Sequence, residues 1–165
     1  CLAFDTKVYI YDPYIDKKII TEFGGIKVDK IEDGLKIADY VSLHMPLTDK
    51  TKNLINYSVL KTMKKNSIIV NTARGGIINE LELERALNEG LIFGAALDVF
   101  SKEPIEKDNS LLKNKKVILS PHSATFTDEC TSRMGIETAK NIIDFFENRI
   151  DKSMMIKLWL TLKEN

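Results

Sequence analysis

Apolar residues along the chain occur in two patterns: short continuous runs, and longer stretches in which they recur every three or four positions. The short runs predict strands at residues 7–11, 26–28, 40–45, 67–73, 93–100 and 116–120. The longer stretches predict helices at residues 29–40, 58–65, 79–90 and 127–149. Most strand runs are apolar along most of their length, so both of their faces are expected to be covered. This order of elements is typical of an α/β fold with a doubly wound parallel sheet and crossover helices.

The helix predicted at residues 79–90 has signals at both of its ends. Asn79 is a residue type favoured at the N-cap, and Glu82 occupies the N3 position of a capping box. Gly90 follows as the residue that can end a helix in a left-handed conformation. We therefore predict that the helix begins at Asn79 and stops at Gly90.

Charge and cysteine content narrow the class of protein. The 24 Lys and Arg residues balance the 24 Asp and Glu residues, so the formal net charge is zero. Nucleic acids and anionic membrane surfaces select proteins with a basic field, so neither is expected as a partner. No uninterrupted apolar stretch of the sequence approaches the roughly 18 residues of a membrane helix. Two cysteines, Cys1 and Cys130, are too few for a disulfide framework, which predicts a reducing, cytoplasmic location.

Polar side chains follow the predicted strands at the points where those strands end. They are Asp12, His44, Arg74, Asp98 with Glu103 shortly after it, and His122. Because the carboxyl ends of parallel strands meet at one edge of a sheet, we expect these side chains to converge there. Each also has a structural explanation when taken alone. Asp12 can initiate a turn, Arg74 can be a surface charge and Glu103 can belong to a solvated loop.

Arg74, Glu103 and His122 together form a chemically coherent set. A histidine can donate or remove a proton near neutral pH. A neighbouring glutamate favours the charged imidazolium and fixes the orientation of the ring. An arginine pairs with a carboxylate through two parallel hydrogen bonds and polarises an adjacent carbonyl. These groups predict reduction of a 2-keto acid by an external hydride donor, and no metal site is expected.

Several sequence blocks resemble one known family. The blocks are IVNTARGG at residues 69–76, AALDVFSKEP at 95–104, LSPHSA at 119–124 and VSLHMPLT at 41–48. They closely resemble the D-isomer-specific 2-hydroxyacid dehydrogenases over roughly residues 3 to 148. The resemblance implies a Rossmann-like NAD-binding domain, an oxidoreductase acting on D-2-hydroxy or 2-keto acids, and a homodimer.

The resemblance also implies roles for individual residues. Arg74 would bind the carboxylate and keto oxygen of the substrate, His122 would be the general acid/base, and Glu103 would be its partner. Asp98 would hold the nicotinamide carboxamide, and Asp12 would bond the ribose hydroxyls, which favours NAD over NADP. Further cofactor contacts would come from Pro13, His44, Met45, Pro46, Thr51, Thr72, Ala73, Ala124, and from Arg74 and His122 themselves.

Two departures from the family pattern affect what the chain is expected to do. The GxGxxG loop that cradles the pyrophosphate should lie roughly 20 residues before Asp12. Only 11 residues precede Asp12, and none is Gly. We therefore expect residues 1–149 to be an N-terminally incomplete NAD-binding domain, and residues 150–165 to be an atypical tail. A fragment of this kind is expected to bind NAD weakly and to show no measurable turnover alone.

Two other functions remain open at this point. The same fold and residue set resemble the NAD-sensing C-terminal-binding-protein co-repressors, which are binding modules. An inactive, truncated remnant is the second alternative. A relative of formate dehydrogenase is less favoured, because that branch resembles the pattern with Gln where Glu103 stands. The sequence leaves the substrate open among lactate, glycerate, hydroxypyruvate and phosphoglycerate.

Overall fold

The computed structural model describes residues 1–151, in which short parallel strands alternate with helices. The strands are β1 (Tyr9–Ile10), β2 (Ile26–Lys27), β3 (Tyr40–Leu43), β4 (Ile68–Asn71), β5 (Gly94–Leu97) and β6 (Val117–Leu119). The α-helices are α1 (Lys17–Glu22), α2 (Ile31–Ile37), α3 (Tyr57–Leu60), α4 (Glu80–Asn88) and α5 (Asp128–Phe146). Short 3-10 helices lie at Leu2–Phe4 and Ser110–Lys113. The predicted Rossmann-like arrangement of parallel strands and flanking helices is confirmed.

Among residues 1–151, the hydrogen-bonded strand pairs are all parallel and form two groups. Strands β3, β4, β5 and β6 lie side by side in that order, and β1 pairs with β2. At the carboxyl end of the larger group, Leu43 is paired with Asn71, Asn71 with Leu97, and Leu97 with Leu119. The segments that follow these four strands therefore leave the sheet at the same edge, as the sequence predicts.

The hydrophobic core lies between the four-stranded sheet and the helices that connect its strands. Ile69 of β4 and Leu97 of β5 are buried, as are Leu60 of α3 and Leu83 and Leu87 of α4. Leu83 and Leu87 are four positions apart, so they lie on one face of α4 and turn it toward the sheet. Burial of this face packs α4 against the sheet, and this contact fixes the positions of the strands whose carboxyl ends carry the polar residues.

The capping prediction for α4 is confirmed at both ends, with one difference. The Asn79 side chain accepts a hydrogen bond from the Glu82 N–H, and Gly90 has a φ of 70°. The Glu82 carboxylate does not return to the Asn79 N–H, because that N–H donates to the Ile55 carbonyl oxygen. Glu82 accepts instead from the N–H of Tyr57 at 2.5 Å. The capping box is thus half formed, and its carboxylate ties α3 to α4.

The sequence pattern did not reveal α1 or the two 3-10 helices. Helix α1 buries only Ile20, so it has no apolar periodicity to detect. Its one local signal is Asp16, which caps the helix by accepting from the Lys18 N–H at 2.7 Å. Asx capping of this kind is a common start signal, but Asp and Lys are also frequent in exposed loops.

The chain divides into two compact units, one of residues 1–124 and one that begins at Thr125. The second unit contains α5, which is capped by the Thr127 hydroxyl accepting from the Cys130 N–H. This helix confirms the prediction at residues 127–149, although it ends at Phe146. The predicted atypical tail falls largely on residues 152–165, outside the described residues. In the part of the chain that is described, none of the helices has the combination of length and apolar character needed to span a bilayer.

Gly75 allows two backbone segments to touch. A Cβ atom at this position would lie 1.8 Å from the carbonyl oxygen of Phe100. We expect Gly75→Ala to destabilise the first unit by about 3 kcal/mol, because backbone must move to admit the methyl group. Urea unfolding checks this. The matched control is Gly135→Ala in α5, where nothing lies within 4 Å, and which is expected to be neutral or slightly stabilising. An unchanged unfolding midpoint for Gly75→Ala would contradict the expectation.

Candidate functional site

An open pocket of about 330 Å³ lies at the carboxyl edge of the four-stranded sheet. It is lined by His44, Met45, Pro46, Thr72, Ala73 and Arg74. Its volume falls at the lower end of the range of small-molecule pockets. Two loops form it, the one after β3 and the one after β4, and all six lining residues are among those the sequence placed at a cofactor or substrate.

The turn that carries Arg74 is built by Asn71, the last residue of β4. Asn71 is 2% exposed, its side-chain N–H donates to the Arg74 carbonyl oxygen at 3.0 Å, and its side-chain oxygen accepts from the Ala73 N–H at 3.0 Å. The exposed guanidinium of Arg74 donates to the Ala73 carbonyl oxygen. Within residues 1–151 no carboxylate pairs with it. Its charge is therefore available to an anionic ligand.

The loop after β3 holds its shape through Thr51. The Thr51 hydroxyl donates to the Pro46 carbonyl oxygen at 2.7 Å and accepts from the Thr48 N–H at 2.8 Å. Thr51 therefore supports the pocket wall without lining the pocket. His44 contacts Ser42, with 2.9 Å between the Ser42 Oγ and the His44 Nε2.

Glu103 and His122 are in direct contact. The Nδ1 of His122 lies 2.7 Å from one carboxylate oxygen of Glu103. The other oxygen accepts from the Phe100 N–H at 2.9 Å. The hydrogen bond from His122, followed by that from Phe100, holds the pKa of Glu103 below its ordinary value. His122 itself has a φ of 53°, in the left-handed region, which is a strained backbone conformation for a residue with a side chain.

Asp98 is 3% exposed and accepts hydrogen bonds from the loop that carries His122. Its Oδ1 accepts from the Ser120 hydroxyl at 2.5 Å and from the Ser123 N–H at 2.8 Å, and its Oδ2 accepts from the Ala124 N–H at 2.9 Å. Burial is the largest single influence on the pKa of Asp98 and raises it, but the hydrogen bonds together lower it below its ordinary value. Sequence reasoning missed Ser120 and the two N–H donors.

The turn after β4 touches the loop that carries Glu103. The Gly75 backbone abuts the Phe100 carbonyl, and the Phe100 N–H binds Glu103. Arg74, Glu103 and His122 are thus brought to one edge of the sheet, with Glu103 and His122 in contact. Arg74 comes from the turn beside them.

Asp12 and Pro13 follow β1, in the two-stranded group. The Asp12 Oδ1 accepts from the Tyr14 N–H at 2.8 Å and from the Ile15 N–H at 3.2 Å. These bonds form an Asx-type turn, which is the structural explanation that the sequence left open. Pro13 is exposed beside it. A role for Asp12 in ribose binding stays a prediction.

The edge combines a guanidinium that has no carboxylate partner in the described part of the chain, an imidazole held by a carboxylate, and an open pocket. A guanidinium of this kind binds a carboxylate or carbonyl oxygen, and the imidazole can exchange a proton with a bound oxygen. Among residues 1–151, no group of three or more His, Cys, Asp or Glu side chains is placed to hold a metal ion. The arrangement suits proton transfer to a small anionic carbonyl compound.

The lowered pKa values of Asp98 and Glu103 make stability depend on pH. Each carboxylate contributes stability that is present above its unfolded-state pKa of about 4 and is lost as the pH falls through the lower folded value. We expect the free energy of unfolding to fall as the pH is lowered from about 5 to 3. Glu103→Gln should make that fall shallower. Glu106→Gln, an exposed partner of Lys102, controls for loss of one charge. Equal slopes for the two variants would contradict the role given to Glu103.

Comparison with known proteins gives a consistent result. A family model described as "D-isomer specific 2-hydroxyacid dehydrogenase, NAD binding domain" matches residues 1–124. The D-3-phosphoglycerate dehydrogenase of Methanocaldococcus jannaschii is 46% identical over 140 residues, which is 85% of this chain and 26% of that protein. The glyoxylate reductase of Aeropyrum pernix is 40% identical over 153 residues, which is 93% of this chain and 45% of that protein. The chain thus spans less than half the length of these relatives.

Solved structures show the same similarity. An NAD-complexed D-isomer specific 2-hydroxyacid dehydrogenase from Lactobacillus delbrueckii ssp. bulgaricus superimposes with a TM-score of 0.81 at 28% identity. The match covers 94% of this chain and 50% of that one. A D-lactate dehydrogenase from Aquifex aeolicus, complexed with NAD and lactic acid, gives a TM-score of 0.79 at 32% identity, over 90% of this chain and 48% of that one.

Proposed function

We propose that this chain, which belongs to the D-isomer specific 2-hydroxyacid dehydrogenases through their NAD binding domain, supplies the chemistry for reducing a small 2-keto acid to a D-2-hydroxy acid. The main support is the contact of His122 Nδ1 with Glu103 at 2.7 Å, at the same sheet edge as Arg74, whose guanidinium has no carboxylate partner among residues 1–151. Residues 1–149 would form part of the NAD-binding domain of the whole enzyme.

The residues at the edge would hold the nicotinamide end of NAD. The pocket beside Arg74 accommodates a small ring, and the buried carboxylate of Asp98 accepts three hydrogen bonds, which leaves one acceptor position on Oδ2 for a carboxamide N–H. When bound, NADH supplies the hydride. Asp12 would bond the adenosine ribose, and its charge disfavours a 2′-phosphate, so NAD is proposed over NADP.

Arg74 is proposed to bind and polarise the substrate. Its guanidinium can hold the substrate carboxylate through two parallel hydrogen bonds and place a donor near the keto oxygen. That donor stabilises the negative charge that develops on the oxygen as the carbonyl carbon accepts the hydride. Because Arg74 has no carboxylate partner in residues 1–151, binding breaks no internal ion pair.

His122 is proposed to deliver the proton that completes the reduction. Its Nδ1 faces Glu103, so Nε2 is the ring nitrogen left to address the substrate oxygen. The charged imidazolium donates its Nε2 proton to that oxygen, which yields the hydroxyl group and a neutral imidazole. Glu103 stabilises the imidazolium before transfer and keeps the ring oriented. In the reverse direction, the neutral Nε2 removes the hydroxyl proton.

A graft tests the proposed activity. The 153 residues of this chain that align with the Aeropyrum pernix glyoxylate reductase, at 40% identity, replace the corresponding segment of that enzyme. We call this protein the grafted enzyme, and we expect it to oxidise NADH when glyoxylate or another small 2-keto acid is added. A folded graft that binds NADH without turnover would favour the NAD-sensing binding module, and a graft that binds no NADH would favour the inactive remnant.

The proposed homodimer finds support in exposed aromatic surface. Phe4 is 84% exposed, Tyr14 is 87% exposed and Phe146 is 77% exposed. Aromatic side chains left in water favour association, because burying each one removes a large apolar area from solvent. We expect the purified chain to elute as a dimer or larger species in size-exclusion chromatography with light scattering. A sharp monomer peak at micromolar concentration would contradict this.

A further inference from the structure

His122 is held in its strained conformation by contacts on both sides of it in sequence. Its φ of 53° lies in the left-handed region, where a side chain crowds the backbone. After His122, the N–H groups of Ser123 and Ala124 donate to the buried Asp98. Before it, the hydroxyl of Ser120 donates to the same carboxylate at 2.5 Å. One side chain thus binds both flanks of the loop.

The hydroxyl and the backbone N–H of Ser120 make hydrogen bonds to different partners. The Ser120 N–H is already bonded to the Leu97 carbonyl oxygen at 3.0 Å, which continues the sheet beyond β6. The hydroxyl makes a separate bond, which shares the Asp98 Oδ1 with the Ser123 N–H. The hydroxyl therefore links the Asp98 carboxylate to a residue whose backbone is held by the sheet. The same carboxylate accepts from the N–H groups of Ser123 and Ala124 in the loop that follows His122.

We propose that Ser120 is a positioning residue, whose hydroxyl orients the Asp98 carboxylate so that the following loop places the His122 ring against Glu103. The importance of this role rests on the proposed function, in which His122 is the proton donor. Without the hydroxyl, Asp98 keeps only its two N–H donors, and a buried acceptor position is left unsatisfied. The loop is then free to relax toward an ordinary backbone conformation, which withdraws the imidazole from Glu103.

The titration of Glu103 measures this effect directly. Its pKa is held down first by the hydrogen bond from His122, and then by that from the Phe100 N–H. The charged groups that act on it are His122 and, in the opposite direction and more weakly, Asp98. Loss of the His122 contact therefore raises the pKa of Glu103 toward its ordinary value. The measurement needs neither cofactor nor substrate, so its outcome is independent of whether the proposed activity is found.

The experiment uses the full chain with its carboxyl carbons followed by NMR as a function of pH. Ser120→Ala is expected to raise the pKa of Glu103, and Ser120→Thr, which keeps the hydroxyl, is expected to restore the wild-type titration. Ser123→Ala is the matched control, because Ser123 contacts Asp98 through its N–H and not through its side chain. Ser120→Cys keeps the side-chain size with a weaker donor, so it is expected to shift the titration in the same direction by less.

Amide hydrogen exchange supplies a second measurement on the same samples. In Ser120→Ala the N–H groups of Ser123 and Ala124 should exchange about 10-fold faster, as expected for loss of one net hydrogen bond. An unchanged Glu103 titration in a folded Ser120→Ala chain would overturn the proposal. So would a Ser120→Thr variant that titrates like Ser120→Ala, because the hydroxyl would then not be the group responsible.

Discussion

Replacing His122 by alanine is expected to lower kcat for glyoxylate reduction by the grafted enzyme by about 100- to 10,000-fold, the usual contribution of a positioned general acid. The Nδ1 of His122 is bonded to Glu103, so removal of the ring deletes both the proton donor and the group that Glu103 orients. The affinity for NADH should fall far less than kcat, because the pocket walls come from the loops after β3 and β4. Stopped-flow and steady-state absorbance of the nicotinamide measure both quantities.

Chemical rescue separates proton transfer from damage to the fold. Free imidazole should restore part of the lost activity of His122→Ala, since it can enter the open edge and donate a proton. Glu103→Gln should show a smaller loss than His122→Ala, and Glu106→Gln, an exposed residue paired with Lys102, should show none. Full activity in a folded His122→Ala graft would exclude His122 as the proton donor.

Replacing Arg74 by alanine is expected to lower kcat/KM for the keto acid by about 30- to 5,000-fold. This corresponds to the loss of about 2–5 kcal/mol when one partner of a close charge pair is truncated. KM should rise and kcat should fall, because the guanidinium is proposed both to bind the substrate carboxylate and to stabilise the oxygen that gains charge. Arg74→Lys should recover only part of the loss, because an ammonium cannot form two parallel hydrogen bonds.

Arg85 provides the matched control for Arg74. It lies 4.1 Å from the centre of the Tyr57 ring and forms an ion pair with Glu89, away from the pocket. Arg85→Ala removes the same charge and a comparable side-chain volume, so it is expected to leave kcat/KM unchanged. Equal losses for Arg74→Ala and Arg85→Ala would show that net charge, and not a guanidinium at this turn, governs substrate capture.

Local sequence patterns predicted the elements that are marked by an apolar run or by a residue that begins or ends a helix. The apolar runs located β3 to β6, and the Asn79 and Gly90 signals located both ends of α4. They did not reveal α1, which buries only Ile20, and they did not show that the strands form two hydrogen-bonded groups. Which strands pair depends on contacts between distant segments, and no local period records those contacts.

In the candidate site, too, the sequence predicted what a local pattern records and missed what depends on contacts between distant segments. The sequence predicted that Arg74, Asp98 and His122 lie at one edge, because each follows a strand and parallel strands all end at the same edge of the sheet. The way these groups are held was not predictable, since it depends on main-chain donors. The N–H groups of Ser123 and Ala124 carry no signature in the sequence, yet they hold the buried Asp98.

The rate at which the grafted enzyme oxidises NADH in the presence of glyoxylate tests the proposed roles of Arg74 and His122. We expect turnover that depends on added keto acid and is lost in both Arg74→Ala and His122→Ala, while Arg85→Ala turns over normally. A folded grafted enzyme that binds NADH yet leaves the NADH absorbance unchanged with every keto acid tried would contradict these roles. So would turnover that persists when Arg74 and His122 are both replaced.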